Sequence, residues 1–158
     1  MSPERGGRQA GGERACHRVP FHWPRPALQI VLVEPEIPPN TGNIARLCAG
    51  TGTRLLLAGP LGFRLHDRAL RRAGLDYWDQ VDCTRVPSLS AALEATSGGR
   101  RFFFSTRGRR LYSEASYAPG DALFFGSETR GLPAGLLDRF AGDVYTLPMA
   151  GAAVRSMN

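Results

Sequence analysis

The residues best suited to chemistry in this chain fall in three polar clusters, each directly after an apolar run. The first is Asn40, Thr41, Gly42 and Arg46, which follow the prolines Pro35, Pro38 and Pro39 in the stretch EPEIPPNTGNIARLC, residues 34–48. Asn40 and Thr41 can satisfy the orphan amides of a helix start, and Gly42 lets another group approach the backbone closely. Arg46 stands about one turn inside that helix, spaced to aim back towards the turn. The second cluster, in LFFGSETRGLP at residues 123–133, places Gly126 at a strand end beside the carboxylate of Glu128, then Thr129, Arg130 and Gly131. Such a glycine lets a ligand lie on the strand end, although an ordinary strand–turn–helix corner would use the same residues. The third cluster is Arg155, Ser156 and Asn158, which end the chain in TLPMAGAAVRSMN. A frayed terminus is the competing reading there.

The surrounding pattern supplies elements to hold these clusters. Short apolar runs at residues 28–33, 54–58, 81–86, 101–105, 122–125 and 144–147 read as strands. Between them lie helix-like stretches at 41–50, 68–73 and 88–96, and Pro133 starts another. The prolines withhold backbone donors and fix φ, so neither strand nor helix is expected to cross residues 34–39, and the first helix is expected to open near Asn40 or Thr41. Strands alternating with helices predict crossover units, hence an α/β fold with a mostly parallel sheet. Ligands in such sheets bind outside the carboxyl ends of the strands. On that logic alone, the turn after the first strand is the expected cofactor cradle.

Composition narrows the class. The chain has 158 residues, enough for one domain with a real core, and its 42% hydrophobic and 22% charged content is that of a soluble globular protein. All 20 basic residues are arginines, and the net charge of +6 favours an anionic partner such as nucleic acid. Cys16, Cys48 and Cys83 are widely spaced and include no zinc-ligand pair, so reduced thiols in a cytoplasmic protein are expected, with no metal. No run approaches the length of a membrane span, and the N-terminus lacks the apolar core of a secretory signal. Residues 1–26 carry five arginines against two glutamates among glycines and prolines, and read as a disordered or loosely attached extension of a domain at 27–158.

Several chemistries lack their signatures. There is no GxGxxG after the first strand and no GxxxxGK[ST], which removes support for nicotinamide and P-loop sites. GSETRG lacks the spacing of a nucleophile elbow. Within the domain the only histidine is His66, so a Ser–His pair or a metal cluster is not expected.

The strings EPEIPPNTGNIARLC, RRAGLDYW, FFGSETRGLP and LPMAGAAVRSMN, in this order, closely resemble the SPOUT superfamily of RNA methyltransferases. The nearest likeness is to its tRNA (cytidine/uridine) wobble-position 2′-O-methyltransferase family, and it covers residues 28–158. The resemblance implies a parallel sheet flanked by helices, a C-terminal trefoil knot that binds S-adenosylmethionine, and a homodimer acting on tRNA. Carried over by motif, the cofactor contacts fall on Phe104, Gly126, Leu147 and Ser156, with Gly131 and Met149 in the same loops. Arg46 becomes the catalytic arginine, Asn40 and Asn43 support its loop, and Glu128, Ser156 and Asn158 belong to the second and third motifs. Arg71 and Arg72, with Arg68, form a candidate tRNA-backbone patch, as do Arg107, Arg109 and Arg110; solvated charge is the alternative for both. The family continues beyond the S-M-N signature into a long helix, whereas this sequence stops at Asn158, so an incomplete knot and an exposed apolar surface are expected. A non-catalytic RNA-binding module and a ribosomal RNA 2′-O-methyltransferase are the alternatives to the tRNA enzyme.

Overall fold

Residues 27–64, 78 and 80–150 are described by a computed structural model. Seven strands form one sheet: β1 (Gln29–Val33), β2 (Arg54–Ala58), β3 (Cys83–Val86), β4 (Arg101–Phe104), β5 (Arg110–Leu111), β6 (Ala122–Phe125) and β7 (Val144–Thr146). Their order is β3-β2-β1-β6-β4-β7-β5, and every pairing is parallel. Helices α1 (Pro38–Thr51), α2 (Leu89–Ala95) and α3 (Ala134–Arg139) connect them.

Parallel central strands must be apolar on both faces, and these are. Val31, Val33, Leu56, Ala58, Phe103 and Phe124 point to one face, where Ala92 of α2 and Leu136 and Leu137 of α3 close the core. The alternate residues Leu32, Leu55 and Leu57 point to the other face and meet Ala45 and Cys48 of α1. Phe102, Phe104 and Tyr145 extend that second face towards β7, with Phe104 stacked on Phe125 at 4.7 Å between ring centroids.

The order of the strands decides where a site can form. From β1 the chain steps outward through β2 to β3, whereas from β6 it proceeds to β7 beyond β4. Connections therefore diverge between the neighbours β1 and β6, and their carboxyl ends open a crevice at that switch point. The two ends are the 34–37 turn and the 126–133 loop, the first two polar clusters of the sequence.

The helix after β1 starts earlier than the prolines suggest. It begins at Pro38, not at Asn40 or Thr41, with Ile37 as an extended N-cap. Prolines at the first two helical positions cost nothing, because amides there have no intrahelical acceptor and φ near −65° is already helical. Asn40 and Thr41 provide no side-chain cap. At the other end Gly52, at φ 64°, closes the helix in the left-handed region. The third strand is shorter than expected and starts at Cys83, and β5, only two residues long, has no apolar run to announce it. The expected helix at 68–73 lies outside the described residues.

At the opposite, amino-terminal edge of the sheet, Asp121 ties the entries of β4 and β6 together. Its Oδ2 accepts from Arg100 Nη2 at 2.7 Å and from the Ala118 amide at 2.7 Å, and its Oδ1 accepts from the Arg100 amide at 3.1 Å. Burial alone would raise this carboxyl, but the hydrogen bonds from Arg100 and the two amides, with the guanidinium charge, hold it below its ordinary value of 3.8. A depressed folded-state pKa contributes stability that is present above the unfolded value and lost as pH falls through the folded one. Asp121→Asn is therefore expected to lower the melting temperature at pH 7 and to flatten its fall below about pH 4, read by thermal unfolding across pH.

Candidate active site at the switch point

The crevice is a cleft of about 1440 Å³ between α1, the ends of β1 and β4, and the loop after β6. Phe104, Leu147 and Met149 contribute apolar lining, and Gly126, Glu128, Gly131 and Asn40 line it as well. Seven of the sequence-predicted residues thus meet in one place although they come from four strand ends. Asn43 and Arg46 are exposed on α1 and stand outside the cleft lining. Ser156, Asn158, Arg68, Arg71 and Arg72 lie outside the described residues. Trp78 packs half-buried against the α1 side of the sheet.

Gly126 is needed for a reason the sequence does not display. A Cβ built on it would overlap the backbone of Gly131 and Leu132, because the loop turns back over the strand end. The Gly131 amide donates to Ser127 O at 2.8 Å, and Gly131 itself has φ 68°. The space above Gly126 is therefore filled by the returning loop as well as bordering the cleft.

Glu128 also has an occupation invisible in the sequence. Its Oε2 accepts from the Glu36 amide at 2.8 Å; its Oε1 accepts from the Ile37 amide at 3.3 Å and from Asn40 Nδ2 at 3.1 Å. A carboxylate from the β6 loop thereby serves as the missing cap of α1, where the helix dipole favours an anion. The partners are 88 to 92 residues apart in the chain, so no local pattern reveals the contact. Glu128→Gln is expected to cost about 1 kcal/mol, since an amide brings one acceptor where the carboxylate brings two. Chemical denaturation at fixed pH checks this.

The remaining cleft chemistry is modest. Burial pushes the Cys48 and Cys83 thiols up to about 11, so neither carries a thiolate at neutral pH. Of the second arginine cluster, Arg107 borders the cleft and Arg109 is exposed. Arg110 is exposed but held by its neighbours: its Nη1 donates to Gly142 O at 3.0 Å and its guanidinium lies 4.8 Å from the centre of the Tyr145 ring. Among the described residues, no group of three or more His, Cys, Asp or Glu is placed to hold a metal, and no helix is long and apolar enough to cross a membrane.

Residues 27–158 match the model of the SpoU rRNA Methylase family. The chain belongs to that family. As a family member it is 52% identical over 132 residues to the tRNA (cytidine(34)-2′-O)-methyltransferase of Escherichia coli K12, covering 83% of each chain. Among solved structures, a protein studied for 2-OH methylation of C/U34 on tRNA superimposes with a TM-score of 0.77 at 49% identity, covering 84% of this chain and 86% of the other. An AdoMet-bound rRNA methyltransferase from Sinorhizobium meliloti shares the fold, with a TM-score of 0.74 at 22% identity over 87% of this chain and 53% of its own. This SpoU family member thus has the parallel sheet and flanking helices of the SPOUT methyltransferases.

Proposed function

We propose that this SpoU family member methylates the ribose 2′-hydroxyl of nucleotide 34 in tRNA, with S-adenosylmethionine as donor. The observation that carries the reading is the 52% identity, over 132 residues, to a tRNA (cytidine(34)-2′-O)-methyltransferase. The same region holds the strand-end cleft. The family description names ribosomal RNA, but the tRNA reading has the far more similar relatives behind it.

The cleft fits the donor on its own chemistry. Phe104, Leu147 and Met149 provide an apolar slot suited to an adenine ring, and the bare backbone around Gly126 and Gly131 can read its edge through main-chain groups. When bound, S-adenosylmethionine supplies an electrophilic methyl group on a sulfonium. The residues of the chain then have the tasks of holding the ribose in line and handling charge on its oxygen. Arg46 is a poor literal base, since a guanidinium does not deprotonate near neutrality. It serves instead as a clamp on the target phosphate and a stabiliser of the developing alkoxide. Asn40, held by Glu128, and Asn43 keep the start of α1 in place for it. Ser156 and Asn158 complete the donor and catalytic side in this reading.

The protein works as a homodimer in the cytoplasm in this reading. Leu47, 66% exposed on α1, and Ile37 at its start are apolar groups that a second copy would cover. Sedimentation at micromolar concentration tests the dimer.

Incubation of unmodified tRNA, and in parallel of unmodified ribosomal RNA, with methyl-labelled donor should place one 2′-O-methyl group at nucleotide 34 of the tRNA, located by nuclease mapping and mass spectrometry. Label confined to ribosomal RNA would move the substrate, and donor binding without label would leave an RNA-binding module.

A further inference from the structure

The turn after β1 and the loop after β6 carry more charge than the assigned roles need. Glu34, Glu36 and Glu128 bring three carboxylates to a mouth that, on the functional reading above, must admit a polyanion. Glu128 is compensated by the amides and dipole at the start of α1. The other two meet Arg130, whose Nη2 donates to Glu34 Oε2 at 2.8 Å and lies 3.7 Å from Glu36 Oε1. Glu36 is bound from the same loop a second time, its Oε2 accepting from Thr129 Oγ1 at 2.6 Å and from the Thr129 amide at 3.2 Å. The two loops are therefore cross-linked in both directions: Glu128 reaches out from the β6 loop, and Glu36 reaches back to it.

Glu34 is held in an unusual backbone state. Its φ is 50°, the only positive value at a non-glycine among the described residues. Strain of this kind persists where surrounding contacts over-determine it, and it concentrates at working sites. Here the Glu34 side chain packs over Gly59, where an added Cβ would meet Glu34 Cγ at 3.0 Å, and its carboxylate reaches Arg130. The arginine side chain is 67% exposed, and Glu34 38%. An ion pair that open contributes little to global stability, so its cost in backbone strain points to a local purpose.

We propose that Arg130 is a positioning residue which, through Glu34 and Glu36, latches the substrate turn to the donor loop, so that occupation of either loop pre-orders the other. The latch rests on the tRNA methyltransferase reading. Its physical basis is that a loop already ordered by one ligand costs less to order for the next. By linkage the effect is reciprocal: donor tightens RNA and RNA tightens donor by the same factor. Arg130 also neutralises two carboxylates at the RNA entrance, which the positioning role requires if the turn is to approach a phosphate.

The test measures binding of S-adenosylhomocysteine with and without saturating unmodified tRNA, by calorimetry on the full chain. In the unaltered protein tRNA should tighten that binding by about fivefold or more. In Arg130→Ala the factor should fall below about twofold, while affinity without tRNA and melting temperature barely move. Arg130→Lys keeps a point charge that can hold one carboxylate, and should recover part of the factor. Glu34→Gln should lose as much as Arg130→Ala, and the double variant should lose no more than either alone, as expected for one shared contact. Full tightening in Arg130→Ala, additive losses in the double variant, or no mutual tightening in the unaltered protein would each overturn the latch. Failure of the unaltered protein to bind tRNA at all would remove the functional reading, and the latch with it.

Discussion

Arg46→Ala should lower turnover by about 10² to 10³ while leaving donor affinity within about twofold of its original value. The asymmetry follows from where Arg46 stands. It lies on the exposed face of α1, outside the lining of the cleft that suits the donor. Alanine is the most favourable helix residue, so the substitution keeps the helix propensity of α1. On the proposed function, what is lost is a cation for the substrate phosphate and the oxygen on which charge develops, and that interaction counts chiefly in the transition state. Arg46→Lys should fall between, since an ammonium supplies charge without the bidentate fork. Single-turnover rates at saturating donor and tRNA, with calorimetry for the donor, separate the two parameters. Loss of donor binding with turnover preserved at saturation would mean that the turn after β1 holds the donor after all.

Gly126→Ala should be the most damaging single methyl group in the described part of the molecule. Its Cβ would overlap the backbone of Gly131 and Leu132, and no flexible side chain is there to move aside. Either the returning loop lifts or the end of β6 shifts. β6 is a central strand, paired with β1 on one side and β4 on the other, so a shift there disturbs both. The expected cost is about 3 kcal/mol or more, at the upper end for overpacking. Because Glu128, Thr129 and Arg130 ride on the same loop, α1 should lose its remote cap and donor affinity should fall together with melting temperature. An alanine at Gly131 meets open space, but its φ of 68° makes it strained, so its effect should be smaller. A Gly126→Ala protein with unchanged stability and donor binding would show that the loop does not return over the strand.

Much of the fold was legible in the chain because the determinants are local. Arg54–Ala58 and Ala122–Phe125 read directly as strands, being short apolar runs bounded by turn residues, and both have these bounds in the structure. Ser88 was readable as a helix start, and its hydroxyl accepts from the Ala91 amide at 3.1 Å. The prolines misled because their two effects, a fixed φ and a missing donor, forbid a helix interior but suit its first turn. Strand β5 escaped because a two-residue edge strand of Arg110 and Leu111 has no periodicity to read.

The sequence by itself determined the class of fold, the family through its motif strings, and seven residues that the fold brings to one cleft: Asn40, Phe104, Gly126, Glu128, Gly131, Leu147 and Met149. Only the tertiary structure decided what several of them do there. Placing β6 beside β1 brings residues some ninety positions apart into contact. That converts Glu128 from a free carboxylate into the cap of α1, and Gly126 from a resting place for a ligand into the bed of a returning loop. It also joins Arg130 to Glu34 across the crevice. Side-chain type and local spacing set which groups are available, but hydrogen bonds are short-ranged. Which group meets which therefore depends on strand order, a property of the whole sheet rather than of any stretch of the chain.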